Sequence, residues 1–388
     1  MNPLTSLFAR GFESIYHVFN TKKTCALRLD PDLFNGTQYS IDAFYDYVTP
    51  FFERPCDFFV KFREIDELHL REGRHPNAEL RSMEGPGVEQ PPNDRDRSRP
   101  RGVHRRRDTP KNTPARLSPD VDGYREMVFD SPVITPWPEN NIVPFKWYAG
   151  QGASTVLMFA PGWGRSSQSF EEEMCRRLRD NGVDAVLLTK PFHQVRTPAG
   201  SFTGEYFISA NVFLTIQNFR QFVAEIRVIT QFLRRHYQRV GIIGMSSGGF
   251  QAGLAANCEP FDFFFPFITG CNLASITWHG LITQYVRRDL EQRGVTEHDL
   301  GRVWSITDLA VVGHHCQARF LKHYIALHDR VIPTKHQLDL WRVYHKPQHE
   351  LLNASHYSSY FLRHVVIDDI LRTIGSLPND AGTVKAAG

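Results

Sequence analysis

Residues 239–258 read R-V-G-I-I-G-M-S-S-G-G-F-Q-A-G-L-A-A-N-C. Val240–Ile243 form a short apolar run that stops at Gly244, and the small residues at 251–257 favour a helix. The stretch therefore predicts a strand, a tight turn and a helix in succession.

The turn itself, residues 244–248, matches the pattern G-x-S-x-G. Glycines allow the backbone to reverse sharply around a serine that is held on a strained turn. Such a turn lifts the Ser246 hydroxyl out of the sheet and points the backbone N–H of Ser247 at the same place. Five residues are a weak pattern alone, and the flanking strand and helix strengthen it.

The rest of the chain alternates buried strands with helices. The expected strands are 155–160, 185–189, 240–243, 261–267, 323–327 and 350–353, and the expected helices include 170–180, a long one within 204–237, 334 to about 344 and about 357–374. This rhythm predicts an α/β fold in which helices cover both faces of a parallel sheet. Two strands at 125–129 and 143–148 are expected to form a hairpin that leads into it.

Composition divides the chain further. We expect an N-terminal helical region at 1–64, a linker at 65–120, an α/β domain at 121–375 with a cap insertion at about 270–315, and a flexible tail at 376–388. Residues 91–117 hold eight arginines, one lysine, five prolines and no aromatic residue, which is typical of disorder. A tether to nucleic acid or anionic lipid, and an out-of-frame stretch, are alternative readings of the linker.

Charge and cysteine content exclude several classes of protein. A formal charge of +3 over 388 residues gives no general case for nucleic-acid binding. The six cysteines have no C-x-x-C spacing, which argues against a zinc site or a disulfide framework and for a reducing compartment. With no apolar run of membrane-spanning length and no signal peptide, we expect a cytoplasmic protein. The helical spacing of apolar residues within 4–19 leaves peripheral membrane contact as an alternative to packing on the body.

Two residues that follow later strands suit the remaining roles of a serine-based site. Asp329 follows the strand 323–327, and His356 follows the strand 350–353. In parallel-sheet hydrolases, the acid and then the histidine come after the serine in this order. A base must take the serine proton and a third group must hold that base, which predicts Ser246, His356 and Asp329 as nucleophile, base and orienting acid. A turn aspartate and a structural histidine are the alternatives.

The site also needs donors for a developing oxyanion. The Ser247 N–H supplies one. The loop Gly162-Trp163-Gly164 follows the first long buried strand, and its glycines let the backbone approach closely, so the Trp163 N–H is the expected second donor. A tight turn without this role is the alternative.

Residues 124–375 resemble the α/β-hydrolase superfamily, and within it the α/β-hydrolase domain-containing 18 family. The resemblance is carried by Asp130-Ser131-Pro132, by P-F-H-Q-V-R-T-P at 191–198, by the turn at 244–249 and by S-H-Y-S-S-Y at 355–360. The chain departs from the family at Ser247, where methionine is usual, and at Arg165-Ser166, where the family tends to have Asp-His.

These features together predict a serine hydrolase that cleaves a carboxylic ester or thioester of a lipid-like acyl group, with no metal or organic cofactor. His193 and Arg196 lie just past a strand and are expected to contact an anionic part of the substrate, with pairing of Arg196 to a surface carboxylate as the alternative. The partner is a small-molecule or lipid ester, and no nucleic acid is expected. An acyltransferase and a non-catalytic binding protein on the same fold are the alternative functions.

Overall fold

A computed structural model of the chain describes residues 123–378 and, by backbone alone, Arg81–Ser82. The expectations for the N-terminal region, for nearly all of the basic linker and for most of the C-terminal tail fall outside the described residues. The domain boundaries therefore stay predictions.

One sheet runs through the described part of the chain. Its nine strands there are β1 (Arg81–Ser82), β2 (Arg125–Asp130), β3 (Ile142–Tyr148), β4 (Thr155–Ala160), β5 (Asp184–Leu188), β6 (Arg239–Met245), β7 (Phe263–Phe267), β8 (Lys322–Ala326) and β9 (Gln348–Leu352). Across the sheet the order is β1-β2-β3-β5-β4-β6-β7-β8-β9. The pairs β1–β2, β2–β3 and β3–β5 are antiparallel, and every pair from β5 to β9 is parallel.

Helices alternate with the parallel strands. They are α1 (Ser169–Asp180), α2 (Val212–Leu233), α3 (Ser247–Ala256), α4 (Leu273–His279), α5 (Gln284–Glu291), α6 (Glu297–Trp304), α7 (Leu309–Val312), α8 (Thr334–Val343) and α9 (Arg363–Ser376). Of the described helices, none is both long and apolar enough to cross a bilayer.

The core lies in two layers, one on each face of the sheet. Along β4, Val156 and Met158 belong to the cluster that includes α2 and α3, whereas Leu157 and Phe159 belong to the cluster that includes α1 and α9. Because helices cover both faces, successive residues of β4 are all buried, which explains its uninterrupted apolar sequence.

The expected hairpin and the alternation of strands and helices are confirmed, with two local differences. Helix α3 begins at Ser247 rather than at Gln251, because Gly248 and Gly249 pack against the end of β4 and against Thr269. The last strand, β9, begins at Gln348 rather than at Glu350, and it is an edge strand whose first four residues are exposed.

The region between β7 and β8 contains α4 to α7. Buried side chains of these helices, such as Leu273, Val286, Leu300 and Trp304, join the cluster on the α2 side of the sheet. Trp163, in the loop after β4, stacks on Tyr285 of α5 with ring centroids 6.4 Å apart. The inserted helices thus reach the carboxyl ends of the strands.

Candidate active site

The turn between β6 and α3 holds Ser246 in an unusual conformation. Its φ is 53° and its ψ is −123°, in a region that side chains rarely adopt. Such a conformation costs about 1–3 kcal/mol and persists only where the surroundings fix it. Here the Ser246 N–H donates to Phe267 O at 2.8 Å, and Thr269 Oγ1 donates to Ser246 O at 2.8 Å. The end of β7 therefore holds the serine on its turn.

The glycines at 244 and 248 are required by packing. A Cβ on Gly244 would lie 2.6 Å from the Cα of Gly249, and a Cβ on Gly248 would lie 2.2 Å from Ala160 O. Neither of the two has a positive φ, so the positive φ of the turn is carried by Ser246 itself. The glycines bring the start of α3 against the end of β4.

Three residues that the sequence singled out form one hydrogen-bonded chain. His356 Nε2 lies 2.9 Å from Ser246 Oγ, and His356 Nδ1 lies 2.7 Å from Asp329 Oδ2. All three residues are buried. With a proton on Nδ1 donated to the carboxylate, Nε2 is left free to accept the proton of the serine hydroxyl.

Four donors fix the carboxylate of Asp329. Its Oδ1 accepts the backbone N–H groups of Val331 and Ile332, both at 2.8 Å. Its Oδ2 accepts from His356 and also from Gln337 Nε2, at 2.9 Å. Gln337, on α8, was not anticipated, because one polar residue inside an amphipathic helix carries no sequence signal that separates it from a surface residue.

The loop after β4 lies against Ser246. A Cβ on Gly162 would sit 3.7 Å from Ser246 Cβ. Within the described residues, no acceptor is present for the backbone N–H of either Trp163 or Ser247. Both amides therefore keep a free hydrogen beside the serine, as an oxyanion site requires.

Known proteins share this architecture. The family model described as "Alpha/beta hydrolase domain containing 18" matches residues 139–299. The structure resembles the acylaminoacyl peptidase of Pyrococcus horikoshii, with a TM-score of 0.51 and 12% identity over 68% of this chain and 43% of the peptidase. It also resembles the acetyl xylan esterase of Paenibacillus sp. R4, with a TM-score of 0.51 and 15% identity over 68% of this chain and 86% of the esterase.

The fold is the α/β-hydrolase fold. The expected likeness to the domain-containing 18 family is confirmed over the matched residues, which include the turn at Ser246. A curated relative, the uncharacterized protein YdjC of Bacillus subtilis (strain 168), is 29% identical over 97 residues, which are 25% of this chain and 84% of that protein. The chain spans less than half of the length of the peptidase that it resembles.

On this α/β-hydrolase fold, His193 is placed differently from the expectation that it contacts substrate. The side chain is buried, its Nδ1 lies 2.8 Å from Pro191 O, and its Nε2 accepts the Gly164 N–H at 3.0 Å. Burial lowers the pKa of His193 to about 3, so the ring is neutral. With both nitrogens in use, His193 supports the loop that carries Trp163.

Arg196 also differs from both readings of the sequence. It is fully buried, and two of its guanidinium nitrogens pair with Glu225 of α2 at 2.8 and 2.7 Å. The carboxylate that pairs with Arg196 is thus buried and not at the surface, and Arg196 is not available to an anionic substrate. Position after a strand indicated the correct edge of the sheet but not the direction of the side chain.

A further charged pair borders the loop. Arg165 Nε lies 3.0 Å from Oε1 of the buried Glu171 on α1. Burial raises the pKa of Glu171 to about 7, and the Arg165 guanidinium opposes this rise.

Within residues 123–378, no group of three or more His, Cys, Asp or Glu side chains is arranged to hold a metal ion.

Proposed function

We propose that this protein is a serine hydrolase that cleaves a carboxylic ester or thioester through an acyl-enzyme on Ser246. The observation that carries the proposal is the chain of contacts from Ser246 Oγ to His356 at 2.9 Å and from His356 to Asp329 at 2.7 Å. A serine hydroxyl is a weak nucleophile until a positioned base accepts its proton, and this chain supplies that base together with the group that orients it.

In the first half of the proposed reaction, Ser246 Oγ attacks the carbonyl carbon and its proton passes to His356 Nε2. Asp329 stabilises the resulting imidazolium, while the amides of Trp163 and Ser247 donate to the oxyanion. His356 then gives the proton to the departing alcohol or thiol. In the second half, water attacks the carbonyl carbon of the acyl-enzyme while His356 Nε2 takes its proton. The bond between the acyl group and Ser246 Oγ then breaks, His356 returns the proton to Ser246, and the carboxylic acid leaves.

The surroundings of the site support an acyl group of apolar character. The Trp163 side chain, whose Nε1 donates to Gly204 O at 2.7 Å, presents its ring to Tyr285 of the inserted helices. Because the face of an aromatic ring carries partial negative charge, it favours contact with apolar groups over contact with anions.

A fluorophosphonate probe tests the proposal directly. Such probes react with an activated serine, so the wild-type protein is expected to be labelled at one residue, and Ser246→Ala is expected to abolish labelling. Mass spectrometry of the labelled peptide gives the position. Ser201→Ala serves as the matched control, because that serine lies in a turn and donates only to Pro198 O.

A panel of p-nitrophenyl esters of increasing chain length then gives the preferred acyl group. Labelling that persists in Ser246→Ala would contradict the assignment of the nucleophile. Turnover that appears only when an alcohol acceptor is added would instead identify the protein as an acyltransferase.

A further inference from the structure

A lysine lies directly behind the oxyanion site. Lys190 follows β5, is fully buried, and its Nζ lies 2.6 Å from Ser247 Oγ. The same Nζ lies 4.3 Å from the ring centroid of Phe207 and 5.7 Å from that of Phe222. Ser247 is thus its hydrogen-bond partner, and the two aromatic rings also contact the ammonium group.

No carboxylate within the described part of the chain pairs with this lysine. A buried ammonium without an opposite charge is costly, and cation–π contacts offset the cost only in part. Burial accordingly lowers the pKa of Lys190 well below its usual value. A group that is expensive to bury and has a single polar contact is expected where function requires it.

Ser247 links the lysine to the proposed chemistry. It is the first residue of α3, its backbone N–H is one of the two donors proposed for the oxyanion, and its hydroxyl is the atom that Lys190 contacts. Fixing the side chain of Ser247 also fixes its amide. A positive charge at Nζ would in addition attract negative charge that develops beside that amide.

We propose that Lys190 is a positioning residue of the oxyanion site, which acts through the Ser247 hydroxyl to orient the Ser247 amide and favours the negatively charged oxygen electrostatically. This role rests on the proposed function.

The expected pH dependence follows from the direction of the pKa shift. Lys190 loses its proton at a lower pH than an exposed lysine, so kcat/KM should decline as pH rises through that lowered value. Other ionisable groups also act on the profile, but they are present in the variants as well, so a comparison of profiles isolates the lysine. On the segments around Lys190 and Ser247 these groups are His193, Arg196, Glu205, Glu225 and His356.

Thermal stability gives a second readout. The change in Tm that the proposed role predicts for Lys190→Met has the opposite sign from the change expected if the lysine only packs. Between the lowered pKa and the ordinary lysine value, the unfolded chain binds more protons than the folded protein, so stability rises with pH over this window. Lys190→Met has no ionisable group at this position, so its stability lacks this dependence on pH. The variant is therefore expected to have a Tm at neutral pH that is no lower than that of the wild type, whereas a lysine kept for packing alone predicts a lower Tm.

The experiment uses the full chain with Lys190→Met, Lys190→Met/Ser247→Ala and, as a matched control, the exposed Lys335→Met on α8. We would measure fluorophosphonate labelling and p-nitrophenyl ester turnover between about pH 6 and pH 10, which lies below and around the ordinary lysine value. The expected result for Lys190→Met is a kcat lower by roughly ten- to a hundredfold, less than the loss of an oxyanion donor itself, with little change in KM. The decline that the wild type shows as pH rises should be absent.

Four outcomes overturn the proposal. A wild-type kcat and profile in Lys190→Met would show that the lysine has no role in turnover. A low kcat with an unchanged profile and a lowered Tm would assign it to packing. A wild type that no probe labels at Ser246 would remove the proposed function and this role with it, whereas labelling that Ser246→Ala abolishes and Lys190→Met leaves intact would remove this role alone.

Discussion

Asp329 shows how closely single residues are fixed in this site. Its two carboxylate oxygens receive four hydrogen bonds, from two backbone amides, His356 and Gln337. In Asp329→Asn an NH₂ group replaces one of the two carboxylate oxygens. Because the NH₂ group is itself a donor, at least one of the four donors then faces another donor instead of an acceptor. The histidine then loses the partner that fixes its tautomer.

We therefore expect Asp329→Asn to lower kcat by roughly 10³- to 10⁴-fold with little change in KM. Unfolding in urea should show a loss of about 1–3 kcal/mol, since a buried donor is left without an acceptor. Steady-state ester hydrolysis together with the unfolding curve measures both effects.

Asp339→Asn is the matched control, because Asp339 lies on α8 and pairs with the exposed Arg342. A dead Asp339→Asn beside an active Asp329→Asn would move the acid role to the helix. Asp308 is a poor choice of control, since its carboxylate accepts the backbone N–H groups of Asn272, Leu273 and Ala310 and holds the entry to the inserted helices.

The residues of the site differ in how far the sequence predicted them. Ser246, Asp329 and His356 each follow a strand of the parallel sheet, and because parallel strands end at one edge, their proximity could be inferred. Lys190 also follows a strand of the parallel sheet, so its position at the same edge could be inferred, but the sequence indicated no role for it. The role depends on the contact with Ser247, which is 57 residues distant in sequence.

At the scale of elements, the loop after β4 depends on segments that come later in the chain. Trp163 Nε1 donates to Gly204 O, the Gly164 N–H donates to His193, and Arg165 contacts Glu171. Gly164 has a φ of 70°, which favours glycine over any other residue. The loop that presents the Trp163 amide is thus held by the connection between β5 and α2, which contains both His193 and Gly204, and by α1.

His193→Ala tests this support. Without the acceptor for the Gly164 N–H, the Trp163 amide is less well placed, and a displacement of about 1 Å can cost about a hundredfold in rate. We expect the labelling rate and kcat to fall by roughly ten- to a hundredfold. Because the pKa of His193 is about 3, its ring is neutral well below neutral pH, and the shape of the pH profile should not change.

The exposed His298→Ala on α6 controls for loss of a histidine as such. Equal rates for His193→Ala and the wild type would show that the loop keeps its position unaided. A changed pH profile would indicate that His193 takes part in proton transfer, which the structure does not support.

The molecule as a whole is connected through the buried pair of Arg196 and Glu225. Arg196 donates to Thr189 O after β5 and to Asn140 O in the β2–β3 connection, and Ser131 Oγ donates to Glu225. The hairpin, the end of β5 and helix α2 therefore meet at one ion pair. Sequence pattern could not reveal this pair, because its charged members appear on a loop and within an otherwise amphipathic helix, where exposed charges are the rule.

The side chains of Arg196 and Glu225 are 0% and 1% exposed. Replacing one of them should therefore affect stability differently from replacing both. Arg196→Met leaves the Glu225 carboxylate buried without its partner and should lower the free energy of unfolding by about 3–5 kcal/mol. Arg196→Met/Glu225→Met removes both charges and should recover a large part of that loss, because paired burial of charge is itself costly. Urea unfolding of the two variants and of Arg363→Met, whose partly exposed pair with Glu173 is worth at most about 1 kcal/mol, measures the difference. Equal midpoints for Arg196→Met and Arg363→Met would show that the buried pair does not hold these three segments together.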